Sequence, residues 1–305
     1  MAESIIFTGK KCNNNCTICS VDAGEDKDAL EMEDIEQKIK EALKVSDRIS
    51  LTGGDPTEHP HFLEILKMAK DLGCKGIGVG TNGVNLADRK FVEEMADLGV
   101  DNVSIAIHGP PSVHNKITQK NSYDKAIQGL VNSIQKEFKK GVTMDSVVMR
   151  SNVSYLGKFW ESALRMGVKR VNLMSILPEG RASTNFQKEA LSYSEIKKFF
   201  YKNKETLKKF EIFFLMGFLR CSFPPKAPSA LSHIPDLERS NWDFYGREGT
   251  PSKNFEKKDV CHNCPYSKNC AGPRRVITDI FGEEDFYNML EMDNFIERSI
   301  KLESS

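Results

Sequence analysis

Over the first 176 residues, short apolar, β-branched runs alternate with longer stretches of helical periodicity, and no other feature restricts the fold so strongly. The pattern predicts strands at 4–8, 48–52, 76–81, 102–107, 142–149 and 168–175. It predicts helices at 32–45, 61–72, 88–98, 123–140 and 153–166, the last with a break near Gly157. A strand and a helix repeated six times imply parallel strands joined by right-handed crossovers. Periodicity alone leaves open a doubly wound sheet or a partial barrel. Polar and glycine-rich segments follow the strands at 10–19, 53–57, 81–83, 108–110 and 178–181. That is the carboxyl edge, where parallel α/β folds bind ligands, so one shared site is expected. Beyond residue 182 the alternation stops. A helix over 194–209 and an apolar, strand-like run over 210–219 follow, then a Pro- and Gly-rich irregular connection over 222–258, a strand-like stretch at 276–281 and an amphipathic tail from Phe286.

The 43 basic and 43 acidic side chains cancel, so bulk charge steers the protein towards neither nucleic acid nor an anionic membrane. No run of 18 apolar residues occurs and the first residues lack a signal-peptide pattern, which predicts a cytoplasmic protein with no membrane partner. Eight cysteines in a reducing compartment point to metal ligation rather than disulfides.

Three of them, Cys12, Cys16 and Cys19, fall within eight residues directly after the first strand. Three thiolates can hold three irons of a cubane cluster and leave the fourth iron open. The alternatives are a zinc site completed by a distant ligand and three incidental thiols, although zinc loops more often pair their ligands as CxxC. A second set, Cys261, Cys264 and Cys270 with Cys221 upstream, offers four thiolates, enough for a second cluster or for a structural zinc. Cys74 stands alone and is expected to be a small buried hydrophobe.

The CxxxCxxC spacing after a first strand resembles the signature of the radical SAM superfamily, and further motifs follow in order. Gly53-Gly54-Asp55-Pro56-Thr57 is similar to the family's GGEP motif, with Asp in place of the more frequent Glu, and His59-Pro60 to its usual extension. Thr81-Asn82-Gly83, Ser104 on strand four, Asn152 after strand five and Leu177 in Leu177-Pro178-Glu179-Gly180-Arg181 fall at family positions too. The resemblance implies a partial (β/α)6 TIM-like barrel whose Cys12, Cys16 and Cys19 hold a 4Fe-4S cluster with S-adenosylmethionine chelated at the open iron. It further implies Gly53, Gly54, Asp55 and Pro56 at the methionine amino group, largely through backbone carbonyls. Ser104, and more weakly Asn152, would then lie at the carboxylate or ribose and Leu177 near adenine. An arginine common in relatives beyond strand four is absent, with Lys116 nearby. Cys221 before CxxCx5C resembles a SPASM or shorter twitch module, which implies a second, auxiliary 4Fe-4S cluster serving electron transfer or support.

The organisation expected is therefore a barrel over 1–182, a connecting helix and strand over 183–220, and a small twitch-like cluster module with the tail over 221–305. The implied activity is reductive cleavage of S-adenosylmethionine to a 5′-deoxyadenosyl radical, which takes a hydrogen atom from a substrate, with flavodoxin or ferredoxin as electron donor. A peptide or protein side chain is the favoured substrate, by analogy with SPASM and twitch relatives. A small molecule such as a sugar, nucleoside or cofactor precursor is the competing one. The reading from another class is a non-catalytic iron-sulfur or zinc protein, which leaves Gly53 to Thr57 and the six-fold repeat unexplained. His108 and His114 are marked only by their nearness to the site edge, and Arg274 and Arg275 as an anion-binding or merely solvated pair.

Overall fold

The computed structural model of the chain describes residues 3–223, 255–264 and 272–292. Its strands are β1 (Ser4–Phe7), β2 (Arg48–Thr52), β3 (Gly76–Thr81), β4 (Val100–Ala106), β5 (Val142–Val148), β6 (Arg170–Ser175) and β7 (Glu211–Met216). All pair in parallel and in chain order, which makes a partial barrel with helices on its outer face. The helices are α1 (Met32–Leu43), α2 (Phe62–Asp71), α3 (Arg89–Asp97), α4 (Pro111–Thr118), α5 (Tyr123–Lys136), α6 (Val153–Arg165), α7 (Ala182–Glu189), α8 (Tyr193–Lys202), α9 (Lys204–Leu207), α10 (Asp259–His262) and α11 (Arg275–Phe281). A last helical segment, α12, covers 283–292.

Alternation along the strands separates two environments. Ile49, Leu51, Ile77, Val79, Val103, Ile105, Val171 and Leu173 are buried against Ile35, Ile39, Ile65, Leu66, Val92, Leu130, Leu156 and Phe159 of the helices. The residues between them on the strands, among them Ser50, Gly78, Gly80, Ser104, Thr143, Asp145 and Asn172, face the lumen. The apolar outer layer drives the fold by removing hydrocarbon from water, and it leaves the lumen small and polar.

The six expected strands are present, with β4 beginning at Val100 rather than at 102, and β7 continues the sheet by pairing with β6. Helix α6 runs unbroken through Gly157. A Cβ there would overlap the Asn203 amide, so the glycine admits a close helix contact instead of a break. The helix expected over 194–209 is divided at Asn203, whose side chain donates back to the Phe199 carbonyl at 2.8 Å. The strand-like stretch at 276–281 is corrected to a helix, α11. Thr278 N–H donates to Arg274 O at 3.2 Å and Gly282 N–H to Thr278 O at 2.9 Å, while Ile277 is buried on an apolar patch with Phe286 and Met289. Packing has overridden the β-branched preference of Val276, Ile277 and Thr278. Most of the Pro- and Gly-rich connection, and Cys270, lie outside the described residues.

At the amino end of the lumen, Arg48 is clamped by both oxygens of Asp101 at 2.7 Å each, with Glu3 Oε1 at 3.6 Å. The side chains of the Arg48–Asp101 pair are 8% and 13% exposed. Removing one partner of a buried pair strands the other charge in a poor solvent. Asp101→Ala is therefore expected to lower unfolding free energy by roughly 3 to 5 kcal/mol, read from urea denaturation; a loss under about 1 kcal/mol would show that water reaches the pair as at a surface.

Candidate active site

The loop after β1 carries Cys12, Cys16 and Cys19 and is built into its neighbours by backbone bonds. Cys12 N–H donates to Gly24 O at 3.1 Å, Asn15 N–H to Thr118 O at 3.0 Å and Thr17 N–H to Ile117 O at 2.9 Å. The segment after β2 lies against the same loop, since Gly54 N–H donates to Gly9 O at 2.8 Å and Asp55 N–H to Lys11 O at 2.8 Å. A Cβ at Gly54 would overlap the Lys10 and Lys11 carbonyls, so this approach requires glycine.

Asp55 is buried and its carboxylate collects bonds from two segments, the turn after β2 and the end of β3. It accepts from Thr57 N–H at 2.9 Å, Thr57 Oγ1 at 2.6 Å, Thr81 Oγ1 at 2.8 Å and Asn82 N–H at 2.8 Å. Burial pushes its pKa up, opposed by those donors. Asn82 Nδ2 then donates to Asn13 Oδ1 at 2.7 Å and approaches Cys12 Sγ at 3.6 Å, while Glu58 Oε1 accepts from Asn13 and Asn85. Residues after β1, β2 and β3 are thus one hydrogen-bonded unit, and the shorter Asp fits as its hub. His59 is structural as well, buried with Nε2 at 2.8 Å from Leu30 O.

The three thiols fit an iron-sulfur cluster on chemical grounds. Burial pushes Cys12 up to about 12, with Asp55 and Cys19 adding to the effect. Burial also raises Cys16, then Cys12 and Cys19 do, against the charge of Arg181. Thiolates so disfavoured need a strongly cationic partner. Cys12 Sγ accepts from Asn14 N–H at 3.4 Å and Cys19 Sγ from Ala23 N–H at 3.2 Å, the N–H···S contacts that tune such clusters. The Asn14 amide is buried inside the loop with neither heteroatom partnered. Among the described residues no three His, Cys, Asp or Glu side chains converge on a single ion.

The turn after β6 closes the loop from the other side. Arg181 donates to Cys16 O at 2.9 Å and Ala23 O at 2.7 Å and pairs with Asp22 at 3.1 Å, and Asn185 Nδ2 donates to Thr17 O at 3.0 Å. Leu177 is half-buried on this turn. Ser104 faces the lumen and bonds Asp145, which also accepts from Asn172 Nδ2 at 2.7 Å. Gly53, Gly54 and Ser104 are partly accessible, while Asp55 and Pro56 are buried.

Solved structures share this architecture. SuiB from Streptococcus suis, in a structure described as bound to precursor peptide SuiA, superposes with a TM-score of 0.61 at 14% identity, over 90% of this chain and 72% of SuiB. A structure described as native anSMEcpe with bound AdoMet gives 0.63 at 15% identity, over 98% of each chain. In sequence, a probable GTP 3′,8-cyclase of Sulfurisphaera tokodaii is 28% identical over 180 residues, 58% of this chain and 56% of that protein. One of Saccharolobus islandicus is 30% identical over 201 residues, 65% and 63% respectively. This chain thus spans about three fifths of the length of these curated relatives. The family model described as the Radical SAM superfamily matches residues 6–158, half of the chain. The chain belongs to the radical SAM superfamily. The cofactors of that superfamily are a 4Fe-4S cluster and S-adenosylmethionine.

Asn152, expected from the sequence as a weaker cofactor contact, braces the turn after β5. It is fully buried, with Nδ2 donating to His108 O at 3.0 Å and Val147 O at 2.7 Å and Oδ1 accepting from Met149 N–H at 2.9 Å. His108 and His114 stack with centroids 5.8 Å apart, and burial lowers them to about 3 and about 4, so both are neutral packing groups at physiological pH. Lys116 is exposed on α4. Cys74 packs on the main core and donates to the Gly76 carbonyl at 3.2 Å. Cys221 lies in the turn after β7, Cys261 on α10 and Cys264 just beyond, with Cys264 N–H donating to Cys261 O at 3.1 Å. Among the described residues no helix is long and apolar enough to cross a membrane.

Sequence reasoning missed Arg181, Asn13, Glu58, Asn85 and above all Asp145. Its signal was an acidic residue at an inward position of a strand whose outward positions include Val142, Met144 and Val148. Desolvation lifts Asp145 to about 7 against the donors Asn172 and Ser104. The folded chain therefore holds a proton that an unfolded aspartate sheds near 3.9, and folding stability falls as pH rises through that window. Asp145→Asn is expected to remove that part of the slope between about pH 4 and 7, seen as a flatter plot of Tm against pH. Parallel plots for the two proteins would place water at the carboxylate.

Proposed function

We propose that Cys12, Cys16 and Cys19 ligate three irons of the 4Fe-4S cluster and that S-adenosylmethionine chelates the fourth. The observation that carries this reading is the continuous hydrogen-bonded unit from Asp55 through Asn82 to Asn13 and Cys12, which holds the cysteine loop and the glycine motif in one register. In this reading the backbone of Gly53, Gly54, Asp55 and Pro56 receives the methionine amino group, Ser104 the carboxylate or ribose, and Leu177 packs near adenine. A cluster bound there would supply the electron for reductive cleavage of S-adenosylmethionine, the chemistry that would allow hydrogen-atom abstraction from the substrate. The chain's part is to orient cofactor and substrate and to exclude water. Arg181 and Asn185 hold the loop closed, and the Arg48–Asp101 clamp stops the amino end of the lumen.

For the substrate we favour a nucleotide-type small molecule. Two supports converge: the curated relatives named as GTP 3′,8-cyclases, and a lumen stopped at one end and lined by Ser104, Thr143, Asp145 and Asn172. The peptide side chain expected from the module resemblance has only a likeness of fold behind it, at 14% identity to SuiB. Cys221, Cys261, Cys264 and Cys270 would hold an auxiliary 4Fe-4S cluster in a twitch-like module over 221–305, passing electrons and supporting the site, with flavodoxin or ferredoxin as donor to the chain.

Anaerobic reconstitution is expected to load about eight irons per chain with matching sulfide, as two cysteine-ligated cubanes require. Dithionite with S-adenosylmethionine should then yield 5′-deoxyadenosine by mass spectrometry, and Cys16→Ala should reduce it to background. Zinc without labile sulfide, or undiminished product from the Cys16 variant, would overturn the assignment.

A further inference from the structure

Two arginines are buried among the described residues, and they differ in one respect. Arg48 has Asp101 and Glu3. Arg274, 7% exposed, has no carboxylate close enough to pair with it among the described residues. Its guanidinium Nη1 donates to the Ile176 carbonyl at 3.3 Å, and its backbone N–H is held by Tyr193 Oη at 2.6 Å. The Glu179 carboxylate influences it only through space, and burial pulls its pKa down. A guanidinium cannot shed its proton in a protein, and a buried cation without an anion is costly.

The position is informative as well. Ile176 follows β6, and a Cβ on Gly217, just after β7, would lie 3.3 Å from Arg274 Nη1. Arg274 therefore stands at the carboxyl edge of the barrel, where ligands of parallel α/β folds bind. Thr143 and Asn172, lumen positions nearer the amino ends of β5 and β6, also keep Oγ1 and Oδ1 buried without partners among the described residues. A guanidinium fork matches a phosphate or carboxylate with two parallel hydrogen bonds.

We propose that Arg274 is the anion-binding residue of the substrate pocket, holding a phosphate or carboxylate that the substrate carries. This rests on the nucleotide reading above for the identity of the pocket's occupant, and it adds the group by which that occupant is held. The methionine carboxylate of S-adenosylmethionine is the other anion at this edge. The residues assigned to its amino group follow β2 and Ser104, assigned to its carboxylate or ribose, is on β4, whereas Arg274 lies by β6 and β7, and this separation favours the substrate.

The test is calorimetric titration of the reconstituted, unreduced holoenzyme containing S-adenosylmethionine with inorganic pyrophosphate, GTP and guanosine. Wild type is compared with Arg274→Gln and with Arg274→Lys, which keeps the charge and loses the fork. Pyrophosphate and GTP are expected to bind the Gln variant roughly 10- to 100-fold more weakly, with the Lys variant between, while guanosine and S-adenosylmethionine affinities stay unchanged. Equal anion affinity in all three proteins, no pyrophosphate binding to wild type, or a loss confined to S-adenosylmethionine overturns the proposal. Arg274-dependent pyrophosphate binding without binding of GTP or guanosine overturns the nucleotide reading and leaves this one standing. Iron content and visible spectrum report folding, and the Lys variant carries the comparison if the Gln variant does not load its clusters.

Discussion

The site depends on the buried carboxylate of Asp55. The ends of β1, β2 and β3 are separate loops by sequence, and loops left to water would each adopt many conformations. Four donors from Thr57, Thr81 and Asn82 converge on that one carboxylate, and the Gly54 and Asp55 N–H groups reach the Gly9 and Lys11 carbonyls. A buried hydrogen-bond hub is expensive if any partner is missing, so it enforces one arrangement of the loops it joins. The cysteine loop receives that order through Asn82 and Asn13, and a second anchor through Arg181 from the turn after β6. Strand-end geometry from residues 8 to 185 thereby becomes one site.

The lumen divides between two tasks. On the β1–β3 side lie the groups that organise the cysteine loop and the glycine motif. On the β5–β7 side lie Asp145 with its raised pKa, Asn172 and Arg274, which has no paired carboxylate among the described residues. Ser104 on β4 stands between them, since it bonds Asp145 and occupies the position assigned to the cofactor.

Much of this was legible in the sequence because alternation and thiol spacing are local signals. The strands of β2 and β3 were readable to the residue, and CxxxCxxC with Gly53 to Thr57 and Thr81 to Gly83 named the loops that the structure brings together. What was illegible is long-range. Residues 276–281 carry β-branched side chains yet form α11, because Ile277 finds its partners on α12. Asn152 has the right chain position for a ligand contact, and only the fold shows its amide bonded to the His108 and Val147 carbonyls. Gly157 signalled a helix break and instead admits Asn203. Asp145 and Arg274 became conspicuous only when burial showed what neighbours each has and which it lacks.

The central claim is that three cysteines leave one iron free for S-adenosylmethionine. It is tested most directly by Mössbauer spectroscopy of the iron-57 reconstituted protein, with Cys261 and Cys264 replaced by Ala so that the first cluster is observed alone. The account expects one iron in four to change its isomer shift when S-adenosylmethionine is added, the other three remaining thiolate-like. A spectrum that S-adenosylmethionine leaves unchanged, or one in which all four irons are equivalent throughout, would contradict it.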